Sequence, residues 1–158
     1  SPDERELFER LSLEAFQSGL SWITILRKRP AFRAAFAGFD PAVVADFDET
    51  DVQRLMADAG IVRNRMKIDA TIANARALLA LHAQGQQLAD VFEAHRPATR
   101  DVRPNSFAEV PASTAESVAL AKHLKRLGFR FVGPTTAYAA MQALGYVDDH
   151  LAGCLVVQ

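Results

Sequence analysis

The chain has 158 residues, 49% of them apolar and 23% charged, which suits one packed domain and excludes a disordered tail. Its formal net charge of −1 gives no overall sign of a nucleic-acid binder, a class that is often basic throughout. The single cysteine, Cys154, excludes an intramolecular disulfide and agrees with a reducing cytoplasm, and no apolar run is long enough to cross a bilayer.

Ser1-Pro2-Asp3-Glu4 reads as a capping box with proline at the first helical position. It looks like the start of a helix rather than of a chain, so residues are expected upstream. The first helix is predicted to run to about Ser18, with Leu7, Leu11, Glu14 and Ser18 on one stripe, and to break at Gly19. A short helix from Ser21 to about Lys28 follows, with its cations at the negative end of the dipole. Pro30 is predicted to open another that Gly38 ends. Asp40-Pro41 starts the next, and Thr50 with Gln53 caps one that stops at Gly60. Asn64 caps the longest helix, to about Gln84, with Ile68, Ile72, Ala75 and Leu79 as its apolar stripe. A short helix covers about 87–94, and 95–113, with Pro97, Pro104 and Pro111, reads as a surface loop. Ser113-Thr114-Ala115-Glu116 is a second capping box, opening a helix to about Leu127, and Pro134 starts a last one that Gly145 closes. With no alternating strand of useful length, the fold class is all-α: one compact bundle of many short helices over 1–158.

Base gathers at Arg27-Lys28-Arg29, at Arg63, Arg65 and Lys67, and at Lys122, Lys125, Arg126 and Arg130; acid gathers in 40–58. These are either solvated helix ends or a face for a polyanion. Between two of the helices lies Leu127-Gly128-Phe129-Arg130-Phe131-Val132-Gly133. Its glycines allow sharp turns, and Gly133 precedes a helix N-terminus, where free N–H groups attract phosphate. Phe129, Phe131 and Val132 are expected to anchor this hairpin to the core. The segment resembles the helix-hairpin-helix element of DNA-repair glycosylases; taken alone, a plain connector fits it equally.

Glu14 on an apolar stripe loses hydration unless something compensates it. Either it reaches backbone or an arginine as a structural residue, or it lines a pocket. Trp22, the only tryptophan, lies just across the Gly19 turn. A carboxylate and an indole at one turn suit a flat, cationic, amine-bearing ring, although Trp22 equally fits a core position.

The stretch Leu13 to Arg29, with Glu14, Gly19-Leu20-Ser21-Trp22, resembles the signature of the DNA-3-methyladenine glycosylase I family. So do Ala59 to Ile68 and Gly128 to Gly133 followed by Tyr138, Met141-Gln142-Ala143, Gly145 and Asp148-Asp149-His150. The match runs in order along almost the whole chain. It implies an enzyme that flips an alkylated adenine out of double-stranded DNA and hydrolyses its glycosidic bond, releasing free 3-methyladenine. It implies a cytoplasmic monomer with no membrane partner, and a helix-hairpin-helix at about 114–145. Glu14 then hydrogen-bonds the methylated base, Trp22 belongs to its pocket, and Gly19 and Leu20 press into the gap in the duplex. Arg63, Arg65, Lys67, Gly133 and Thr135 become candidates for phosphate contacts.

The resemblance also implies a structural zinc site with His150 and Cys154 as two ligands. Two more are expected from an N-terminal segment of the family, rich in pocket aromatics, that is not part of this sequence. Asp148 stands near the place of the aspartate that larger helix-hairpin-helix glycosylases use to stabilise the sugar cation, but at a different spacing. Capping the next helix is the other reading of Asp148 or Asp149. No lysine occurs from Leu127 to Gly145 to act as a Schiff-base nucleophile, so a monofunctional glycosylase is expected. The alternative is a non-catalytic module that binds DNA backbone through the hairpin. It needs no shared pocket for Glu14 and Trp22, and that geometry separates the two readings.

Overall fold

The computed structural model describes residues 3–17, 19–97 and 113–147. Among them the regular structure is helical throughout: α1 Glu4–Gln17, α2 Trp22–Ala35, a 3₁₀ turn Ala37–Phe39, α3 Pro41–Val44, α4 Glu49–Met56, α5 Arg65–Ala83, α6 Leu88–Ala94, α7 Ala115–Arg126 and α8 Pro134–Ala143. None of the helices is long and apolar enough to cross a membrane.

The first helix is the centre of the fold. From Leu7 to Phe16 every residue is buried except Arg10, so α1 is enclosed nearly all round rather than along one stripe. It packs on α2, α5, α6 and α8. Phe16 meets Phe32 of α2 at 4.9 Å between ring centroids, and Phe36 stacks on Phe39 of the 3₁₀ turn at 5.5 Å. These tilted and stacked rings tie α1 to the chain that follows it. Glu9, also buried, faces α2, where Arg33 and Arg29 donate to its carboxylate from 2.7 and 3.1 Å.

Some caps fall on their expected places and others close to them. Asp3 caps α1, accepting from the Glu6 N–H at 2.7 Å. Glu4 is thereby released to cap a different helix: its carboxylate accepts from the Leu88 and Ala89 N–H groups of α6 and lies 2.7 Å from His82 Nε2. Asp48 rather than Thr50 caps α4, in a reciprocal box with Asp51. Thr114 caps α7 with Ser117, one residue later than expected. Asn64 caps α5 as the sequence indicates, accepting from the Lys67 N–H.

Two expectations are corrected. Pro30 does not open a new helix; it lies inside α2, which Ser21 caps. Its missing N–H costs one helical bond, but Ile25 and Phe32, buried on either side, hold the helix across it. Phe131 does not anchor the hairpin. Phe129 and Val132 are buried, whereas Phe131 is 44% exposed and adopts a left-handed backbone, φ 58°. Such a φ is strained for an aromatic residue and persists only where its surroundings fix it. They do so through Asn74 of α5, whose amide accepts from the Arg130 N–H at 2.7 Å and donates to the Arg130 carbonyl at 3.0 Å.

Candidate active site

Where α1 ends, Gly19 turns the chain with φ +83°, and a Cβ there would meet nothing within 4 Å. The glycine is required by the backbone, not by neighbours, and the turn faces open space. Gln17 fixes it: the Leu20 N–H donates to the Gln17 carbonyl at 2.7 Å and the Gln17 side-chain amide donates to the Leu20 carbonyl at 2.6 Å. Leu20 is held exposed at its tip. The turn then delivers Trp22 as the first residue of α2, beside the last two turns of α1.

Glu14 and Trp22 line one cleft of about 280 Å³, together with Arg10, Gln17, Ala139, Gln142 and Ala143. That volume lies near the lower end of ligand pockets, about 300–1,000 Å³, and suits one flat ring. The far wall is the C-terminal half of α8. This same helix begins at Pro134, directly after the hairpin, and Gly133 before it supplies no side-chain cap for its first N–H groups. One helix therefore presents phosphate-attracting amides at its start and a cleft wall at its end.

Inside the cleft Glu14 is 6% exposed. Burial pushes its carboxyl above the usual carboxylate range, and the nearby Arg10 offsets this only in part. The Arg10 Nε–H donates to Glu14 Oε2 at 2.8 Å, and the guanidinium carbon stands 4.3 Å from the Trp22 ring centroid. The sequence alternatives for Glu14, a residue paired with an arginine and a residue lining a pocket, thus hold together. Trp22 is half-buried at the rim, not a core residue.

The structure brings Glu14 and Trp22 together and sets the Gly19-Leu20 turn directly between their helices. It also shows what the sequence reading passed over. Arg10 stands one helical turn before Glu14, the spacing of an i,i+4 ion pair, and could have been found by that signal. Gln17 and the small residues of α8 carried none. Of the phosphate candidates, Gly133 and Thr135 are exposed at the start of α8, and Arg63 is exposed before α5. Arg65 is already engaged: its guanidinium donates twice to Glu49, at 2.7 and 2.9 Å, and to Asp69 at 3.3 Å. Burial draws the Lys67 ammonium below its ordinary range. Asp148, His150 and Cys154 lie outside the described residues. Among the described residues no group of three or more His, Cys, Asp or Glu side chains is placed to hold a metal ion.

The methyladenine glycosylase family model matches residues 1–157. The chain belongs to that family. Members similar to it include DNA-3-methyladenine glycosylase 1 of Escherichia coli (strain K12), 48% identical over 96% of this chain and 82% of that protein. The DNA-3-methyladenine glycosylase of Haemophilus influenzae is 44% identical, over 96% and 83%. Among solved structures of the family, one 3-methyladenine DNA glycosylase I superposes with a TM-score of 0.92 at 46% identity, over 100% of this chain and 87% of the other. Another, solved in complex with 3-methyladenine, superposes at 0.86 with 33% identity, over 96% and 82%. The all-helical architecture is the family's own.

Proposed function

We infer that this chain is a monofunctional DNA glycosylase that removes 3-methyladenine from alkylated DNA by hydrolysing the bond between the base and deoxyribose. One observation carries the reading: Glu14 and Trp22 line a single ring-sized cleft whose opposite wall is the helix that follows the hairpin. A module that only held DNA backbone would need the hairpin and not the cleft.

The residues divide the work. The exposed Gly19-Leu20 turn fills the gap left when the damaged nucleotide rotates out of the stack, a step that costs least for a damaged base. Trp22 stacks on the flipped ring, and the Glu14 carboxylate accepts from its exocyclic amine and faces its positive charge. An adenine methylated at N3 and still bonded to the sugar is cationic. It therefore departs with the bond electrons as a neutral base, and water adds to the sugar carbon and loses a proton. The protein has only to select the base and support positive charge on the sugar. Asp148 belongs to this reading as a candidate for the second task. The Gly133 and Thr135 end of α8, with Arg63, Lys67 and, once it leaves its carboxylate partners, Arg65, grips the phosphates of double-stranded DNA. A cytoplasmic monomer and a structural zinc held partly by His150 and Cys154 complete the reading; elemental analysis of the purified protein should find about one zinc per chain, and a folded, active, zinc-free protein removes that part.

The test of the whole is Glu14→Gln, which keeps the shape and removes the charge. Truncating one partner of a buried charged hydrogen bond commonly costs about 2–5 kcal/mol, so excision from methylated duplex should fall at least ~30-fold. Binding to undamaged duplex should hardly change. Wild-type excision by this variant would sink the pocket assignment.

A further inference from the structure

The base-binding cleft already contains a cation. Arg10 presents a planar, positively charged group to the face of Trp22 at 4.3 Å and donates an N–H to the Glu14 carboxylate at 2.8 Å. A methylated adenine still attached to its sugar is also planar and cationic, and also carries an N–H donor beside the ring. Its requirements coincide with those Arg10 satisfies: an indole face and a buried carboxylate.

We propose that Arg10 is the cleft's own stand-in for the substrate, and that a flipped base binds by exchange with the guanidinium, so that Arg10 sets the affinity any base must exceed. The proposal rests on the cleft being the base site, and it deepens that reading.

Exchange is mechanically simple. Arg10 is the one residue of α1 between Leu7 and Phe16 that is not buried, and its side chain is 24% exposed. Rotation about its own side-chain bonds takes the head to water without moving α1. The electrostatics then discriminate. Glu14 is nearly enclosed, and burial already works against its charge. An incoming cation replaces one positive partner by another and leaves the carboxylate compensated. An incoming neutral adenine evicts the guanidinium and leaves a buried charge unpaired, a costly arrangement. Every base loses the Arg10 pair on entering, and only a base that compensates the carboxylate recovers that cost. Arg10 thus raises the threshold for occupancy without making a bond to the bound substrate.

Trp22 is the one tryptophan of this sequence, so its fluorescence, excited beyond tyrosine absorption, reports on this cleft. Free 3-methyladenine and free adenine are titrated at neutral pH into wild type, Arg10→Met, Arg10→Lys and Glu14→Gln, beside thermal melts of each. Arg10→Met retains the stem and removes the competing charge; it should bind 3-methyladenine about tenfold more tightly. It should bind adenine more tightly by the same factor, because a displaced guanidinium taxes both ligands alike. Arg10→Lys keeps a cation on the carboxylate and should stay within about threefold of wild type. An Arg10→Met variant that melts like wild type but binds 3-methyladenine no better, while Glu14→Gln has lost it, overturns the exchange and leaves the base site standing. Equal tightening in Met and Lys variants also overturns it, because charge would not be the competitor. If 3-methyladenine leaves Trp22 emission unchanged in wild type and in both Arg10 variants, the base site itself is wrong and the exchange falls with it.

Discussion

Helix α1 buries two glutamates five residues apart and treats them in opposite ways. Glu9 meets two arginines from another helix, Arg33 and Arg29, through three hydrogen bonds. Burial works to raise its carboxyl, but the two guanidinium groups outweigh that and hold it below the usual carboxylate range. Glu14 meets one arginine, from its own helix, and there burial wins and the carboxyl lies above that range. The first is a cross-link between helices. The second is a charge kept under tension in a cleft. Two things separate them: Glu9 has more fixed donors, and Glu14 lies deeper below the surface, although little of either is exposed. A buried carboxylate is a candidate for recognition when its partners leave it undercompensated.

Exchanging the two residues' roles experimentally is the sharpest way to break that contrast. The largest effect should be on excision: Glu14→Gln loses it, whereas Glu9→Gln, outside the cleft, should excise methylated adenine at close to the wild-type rate. Equal losses in both would mean that the helix, and not the cleft, is being damaged.

Stability should divide the other way. Glu9→Gln leaves Arg33 and Arg29 without their charged partner. Because both arginines are partly exposed, solvent screens the loss, which should be about 1–2 kcal/mol. For a chain of this size that lowers the melting temperature by roughly 2–8 °C. Glu14→Gln should melt at or above the wild-type temperature, since a buried neutral amide replaces a poorly compensated charge.

The smallest effect is the pH dependence, and its signs are opposite. The lowered Glu9 carboxyl contributes stability above the ordinary carboxylate range and loses it as pH falls through its depressed value. The deficit of Glu9→Gln should therefore shrink on acidification. The raised Glu14 carboxyl favours the fold while protonated, and that contribution is lost as pH rises through its elevated value. The advantage of Glu14→Gln should therefore grow from acid to neutral pH. Melts of both variants at a series of pH values check this, and parallel slopes would erase the distinction.

The helical class, the long α5 with its Asn64 cap, and the Glu14–Gly19–Trp22 group were legible because each leaves a local mark: a period, a cap or a glycine out of place in a helical pattern. What was not legible depends on distant partners. Glu4 looked like part of its own capping box, yet its acceptors' work lies at Leu88 and Ala89, more than 80 positions away. Phe131 looked like core because aromatic residues usually are. Only the grip of Asn74 on Arg130 explains why it is turned outward in a strained backbone. Ala139 and Ala143 form a cleft wall because they are small, and small residues in a helix announce nothing. Pro30 read as a boundary because the rule it breaks is strong, and core packing on both sides overrode it.

The bond from Glu4 to the start of α6 has a consequence for the order in which this protein is made. Synthesis runs from the N-terminus, and α1 leaves the ribosome long before the residues that enclose it. At roughly 5–20 residues per second, Glu4 waits several seconds for Leu88, and Glu14 waits longer still for the α8 wall. Throughout that interval a helix carrying Leu7, Phe8, Leu11, Leu13 and Phe16, destined to be covered on nearly every side, has only part of its cover. The cleft between Glu14 and α8 is therefore among the last features to close.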